Sequence, residues 1–177
     1  MGIKKFIAAS AVAVLAASAF AIAPASAVSG GNTQGCTPGF WKNHTPWSSY
    51  VQGGYEPGTT VAYMLRERTS PGVFGPDYTF PSALSSFQSV TMGTALNGGG
   101  GSGVTGAATI LLRAGTAAWL NADAEIAFPY RRWTTGFNGE APLQKLITDA
   151  LNSGSRDTML ALATKLDNAN NLGCPLS

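Results

Sequence analysis

The sequence predicts a mainly α fold: a small helical domain of about three main helices behind a long irregular N-terminal half rich in aromatics, glycine and proline. That half has room for a short strand, and one disulfide joins the ends. Three observations lead there. Helical hydrophobic periodicity begins only after a glycine run at 98–103. Residues 28–97 carry Gly, Pro, Ser, Thr and aromatic residues with no sustained period. The two cysteines, Cys36 and Cys174, stand near the two ends of the chain that follows an export leader.

That leader is residues 1–27 (MGIKKFIAASAVAVLAASAFAIAPASA), which read as a Sec-type signal peptide. Lys4 and Lys5 supply the positive start, the stretch from Phe6 to Ala23 is uncharged and apolar, and Pro24 breaks it. Ala25, Ser26 and Ala27 are the small residues that a signal peptidase accepts, so cleavage is expected after Ala27. The expected product is secreted and extracellular, with no membrane attachment after signal removal. It would have a flexible N-terminus over 28–35, then a single domain over 36–177 with 98–103 as its Gly-rich loop.

The whole chain of 177 residues has 11 Lys+Arg against 9 Asp+Glu. Loss of Lys4 and Lys5 with the leader leaves nine charges of each sign. A neutral, sparsely charged domain lacks the cations that counterion release demands, so nucleic acid is excluded as a partner. Two cysteines in an oxidising compartment have one way to pair, giving Cys36–Cys174.

Taken in order, residues 59–65 (TTVAYML) have the β-branched and aromatic content of a strand. Residues 72–80, punctuated by Pro71, Pro76 and Pro81, read as loop, and 81–96 fit neither pattern. The first main helix is expected over 105–121, with Ala108, Leu111, Leu112, Gly115, Ala118 and Trp119 at three- and four-residue steps. Small residues on its face would admit a close neighbour. The second starts at Pro142, carries Leu143, Leu146, Ile147, Ala150 and Leu151 as a stripe, and stops at Gly154. The third is capped by Ser155 or Asp157 and aligns Met159, Leu162, Ala163, Leu166 and Ala169.

Several motifs bear on chemistry. Gly101, Gly103 and Gly106 match G-x-G-x-x-G at a helix start, but no buried strand precedes them; a flexible connection is expected and no cofactor. His44 is the sole histidine, so no metal site is expected, and G-x-S-x-G is absent. Asp123 and Glu125 read as solvated charges at a helix end. Arg131 and Arg132 read as arginines lying over Tyr130 and Trp133 and paired with nearby acids.

The densest constellation is residues 36–50, with two of the four tryptophans and the lone histidine. Trp41, Trp47 and Tyr50 could stack on sugar rings while Lys42, Asn43 and His44 bond hydroxyls. The reading favoured by the small size of the core is that the aromatics bury beside the disulfide while Asn43 and His44 bond loop backbone.

Residues 36–44 (CTPGFWKNH) resemble the start of a widespread group of small exported bacterial proteins with a C-T-P-G-[FY]-W-K-N-H motif. The ending at 171–176 (NLGCPL) resembles that group's N-x-L-G-C-P-L motif. The resemblance implies bacterial origin, export and the Cys36–Cys174 pairing, and it carries no catalytic role. The functional expectation is a non-enzymatic extracellular or cell-surface protein that binds a cell-wall or extracellular glycan, or a surface protein, through the aromatic segment 40–50. The alternative is a secreted hydrolase using His44.

Overall fold

The computed structural model describes residues 33–137 and 139–176. The expected signal peptide and the start of the expected flexible N-terminus lie outside the described residues. Gln34 and Gly35 are already held in place. Gln34 N–H donates to Ala127 O at 3.1 Å, and Gly35 pairs with Gly173 in an isolated antiparallel bridge.

The fold is mainly helical, and its axis is the 21-residue helix over Gly103–Asp123. Among the described residues six α-helices follow one another: α1 (Pro38–Asn43), α2 (Val61–Met64), α3 (Met92–Leu96), α4 (Gly103–Asp123), α5 (Leu143–Asn152) and α6 (Arg156–Asn170). Alanines and Gly115 line α4 so closely that α6, α5, α3 and α1 all pack against it. A Cβ at Gly115 would stand 3.0 Å from the Ile147 side chain of α5, which shows how near the two helices run. The expected small-residue face is therefore real, and it accounts for a helix buried almost all round over its second half.

The helix ends follow their chemistry. Ser155 caps α6, its hydroxyl accepting from Thr158 N–H at 3.3 Å. Gly154, at φ 61°, turns the chain out of α5. Pro142 is the residue before α5 rather than its first member. The first two amides of α5 donate to Arg131 O (2.8 Å) and Arg132 O (3.1 Å), which fastens the 131–132 segment to a helix start.

The strand expected over 59–65 is instead α2. Thr60 has the geometry of a cap, accepting from Tyr63 N–H at 3.1 Å. Val61, Ala62, Met64 and Leu65 then bury at helical spacing, and this burial outweighs the β-propensity of the Thr and Val residues. Thr59 and Thr60 keep one extended contact: Thr60 bridges Thr91, and Met92 N–H donates to Thr59 O at 2.7 Å. Thr91 in turn caps α3. The two short strands lie further on, as β1 (Arg68–Ser70) and β2 (Val73–Phe74), an antiparallel pair turning at Pro71-Gly72 with Gly72 at φ 79°. Part of the stretch read as loop thus pairs as a hairpin.

The glycine run is also fastened. Arg156 of α6 donates from Nη1 to Gly103 O (2.7 Å) and Gly101 O (3.1 Å). Gly106 lies so near the Gly101 carbonyl that a Cβ there would overlap it. The G-x-G-x-x-G pattern therefore marks a close turn of the chain on its own helix, with α6 supplying the clamp.

Tyr78 ties the irregular half to the end of α5, its hydroxyl donating to Asn152 Oδ1 at 2.7 Å. Burial, with the Asp149 charge nearby, pushes its pKa up to about 12. Burial also raises Tyr55 and Tyr130 above their ordinary value. The folded chain holds these protons to higher pH than the unfolded chain does. Their contribution is complete below about pH 10 and is lost as pH rises through the folded values. A phenolate absorbance titration should show ionisation of Tyr78 delayed to about pH 12 in the folded protein and returned to about pH 10 in denaturant. A single transition near pH 10 in both states would contradict this.

Candidate functional site

The segment 36–50 is organised around one buried amide. Asn121, in the last turns of α4, has all four of its hydrogen-bonding positions filled. Its Oδ1 accepts from Cys36 N–H (2.9 Å) and from the Trp41 indole N–H (3.0 Å). Its Nδ2 donates to Cys36 O (2.9 Å) and to Asn170 Oδ1 (2.9 Å). Asn170 Nδ2 continues the chain to Ala114 O at 3.0 Å. Two donors facing one side and two acceptors the other fix the amide's orientation. Beside it, Cys36 and Cys174 form the disulfide, with their Cα atoms 4.4 Å apart.

Most residues of the opening motif have a place in this clamp. Thr37 caps α1, accepting from Phe40 N–H at 3.1 Å, and Pro38 supplies its first turn. Trp41 is wholly buried on Asn121. Trp47 is wholly buried as well, its indole N–H donating to Trp41 O at 2.8 Å. Phe40 stacks on His44 with ring centroids 4.0 Å apart, and Tyr50 meets Phe40, Trp41 and His44 edge-on. The hydrogen bond of the His44 ring runs from Nδ1 to Phe40 O at 2.8 Å; a carbonyl accepts, so Nδ1 carries the proton. Neither indole face is open to a sugar, and these rings pack the core beside the disulfide. Lys42 and Asn43 are exposed.

Lys42 leads outward to open space. A groove of about 560 Å³ is lined by Lys42, Thr45, Thr91, Thr94 and Asn97, over the buried Trp47. A second, of about 500 Å³, is lined by Thr37, Lys42, Asn97, Arg113, Asp167 and Asn171. Lys42, Leu96 and Asn97 belong to both, so the two form one trough along the face that carries α1, α3 and the end of α6. Asn97 is the residue after α3, held by its Nδ2 donating to Gly93 O at 2.8 Å. Arg113 reaches Asp167 at 3.7 Å. Burial raises the Asp167 carboxyl, against the lowering effect of the Arg113 charge and hydrogen bond. The trough offers hydroxyl, amide, ammonium, guanidinium and carboxylate groups, the set that reads sugar hydroxyls.

Two other expectations change. Asp123 is not a solvated helix-end charge: it is wholly buried, ion-paired with Arg132, and its Oδ2 accepts from Gly53 N–H at 2.9 Å. Burial raises its carboxyl, opposed by Arg132 and the Gly53 hydrogen bond. Arg131 lies over Phe137 (4.2 Å) rather than Tyr130, while Arg132 lies over Trp133 (4.4 Å).

Sequence reasoning missed the Thr91, Thr94 and Asn97 wall of the trough, because it falls where 81–96 fits neither pattern. The signal was Thr91 placed three residues before Thr94, a cap spacing that marks a short helix. Among the described residues no cluster of three or more His, Cys, Asp or Glu is placed to hold a metal ion, and no helix is long and apolar enough to cross a membrane. No protein-family model, no curated protein and no solved structure matches the chain.

Proposed function

We propose that this chain is an exported, non-enzymatic binding protein that holds a hydroxyl-rich extracellular polymer, such as a cell-wall glycan, in the trough over Lys42 and Asn97. The observation that carries this reading is the junction of two grooves at those two residues, walled by Thr, Asn, Arg and Asp side chains. The leader motif and the disulfide support an extracellular setting. The resemblance of 36–44 and 171–176 to small exported bacterial proteins points the same way. The segment 40–50 contributes through Lys42 and Thr45, with its buried aromatics as foundation. His44 has no Ser or carboxylate within hydrogen-bond reach among the described residues, so no observation favours the hydrolase alternative.

The test is retention of the purified mature protein on insoluble cell-wall polysaccharide. Substituting Lys42→Ala together with Asn97→Ala removes two exposed side chains and leaves the core intact. Retention should fall by about tenfold or more, the size of one or two lost hydrogen bonds, one of them charge-assisted. Equal retention of variant and parent would refute the trough as the site.

A further inference from the structure

A second face concentrates arginines on aromatic rings. Arg66 lies over Tyr63 (3.6 Å) and Phe74 (4.0 Å), Phe74 meets Trp133 at 5.3 Å, and Trp133 carries Arg68 (5.2 Å) and Arg132 (4.4 Å). Arg131 lies over Phe137 beside them. A guanidinium stacked by its face is held flat, and its N–H edges stay in the plane, set to grip an oxyanion with two parallel bonds. Arg132 spends its edge on Asp123. Arg66, Arg68 and Arg131 have no carboxylate partner among the described residues, although three other cations of the chain do.

Arg68, whose Nε–H donates to Ser70 O at 3.4 Å, and Arg131 line two small adjoining cavities. One, of about 190 Å³, is lined by Arg68, Ser70, Trp133 and Thr134. The other, of about 150 Å³, is lined by Arg68, Arg131, Arg132, Trp133, Thr134 and Glu125. The backbone beneath is rigid, because the carbonyls of Arg131 and Arg132 cap the start of α5. Glu125 holds a left-handed backbone at φ 54°, alone among the described non-glycine residues, and it places a carboxylate in the wall of the second cavity. With Arg132 neutralised by Asp123, Arg68 and Arg131 against Glu125 leave one net positive charge.

We infer that this pocket, between the β1–β2 hairpin and the 131–134 segment, binds a single carboxylate carried on an acidic extracellular polysaccharide. Charge and size set the ligand: one net positive charge suits a singly charged group, and the cavities admit one such group with its sugar. The hydroxyls of Ser70 and Thr134 meet the sugar hydroxyls beside the carboxylate. The inference is independent of the Lys42–Asn97 trough, with which the pocket shares no lining residue.

The experiment is affinity electrophoresis of the mature protein at low salt through gels holding polygalacturonate, neutral dextran or poly(glycerol phosphate). Polygalacturonate should retard the parent most. Arg68→Gln with Arg131→Gln should weaken that retardation by about tenfold or more, and Arg68→Lys with Arg131→Lys should lose much of it because the planar fork is gone. Lys145→Gln with Lys165→Gln, an equal loss of charge elsewhere, should bind as the parent does. Arg side-chain Nε–H resonances of the parent, titrated with galacturonate, provide a measure that needs no variant: those of Arg68 and Arg131 should move. Unmoved resonances, equal loss in the lysine control, or preference for the phosphate polymer would overturn the assignment. Binding of neutral glycan through Lys42 and Asn97 should be unaffected throughout, so the two sites fail separately.

Discussion

Asn121→Ala should destabilise the protein by about 4 kcal/mol, among the largest effects of any single substitution in the chain. Alanine would leave four buried partners without Asn121: Cys36 N–H, the Trp41 indole N–H, Cys36 O and Asn170 Oδ1. Each buried polar group left unpaired costs about 1–3 kcal/mol, with partial relief as neighbours relax. Asn121→Asp should be no better, since a carboxylate would face the Cys36 and Asn170 oxygens that now accept from Nδ2. Equilibrium unfolding in guanidinium chloride with the disulfide intact would measure the loss. A change below about 1 kcal/mol would mean that water or a rearranged loop replaces the amide.

Removal of the disulfide by Cys36→Ser with Cys174→Ser should cost about 3–5 kcal/mol. The bond closes a span of 138 residues, nearly all of the described chain. On the chain-entropy argument such a loop restricts the unfolded state by about 5 kcal/mol, with measured values commonly lower. At this chain length the loss corresponds to a melting temperature lower by about 10–15 °C. Calorimetry of parent and variant would show it, and an unchanged melting temperature would contradict it. Because Asn121 bonds both the amide and the carbonyl of Cys36, the two perturbations share a residue and should not add.

The three main helices were legible because their signals are local. Leu143, Ile147, Ala150 and Leu151 form a stripe that only a helix can bury together, and Ser155 and Gly154 punctuate the hairpin between α5 and α6. Residues 59–65 were misjudged because β-branched content is a weak preference that a threonine cap and helical burial overrule. Asp123 was misjudged for a different reason: its partners Arg132 and Gly53 come from separate segments, and no spacing announces such a meeting. The motif 36–44 was visible as a unit, but apart from the exposed Lys42 and Asn43 its work is structural. Thr37 caps, Trp41 meets Asn121, and His44 folds back on Phe40. The trough was hidden because α1, α3 and α6 assemble it from three distant stretches, each polar in an unremarkable way.

The covalent closure at Cys36 and Cys174 has a mechanical consequence. Tension applied to the chain outside these two residues passes through one sulfur–sulfur link and the adjoining Gly35–Gly173 bridge. The helices and both grooves between them lie off that line of force. A pull on both flanks would therefore load the link without deforming the faces that carry the grooves, and the core would be stretched only after the link was reduced.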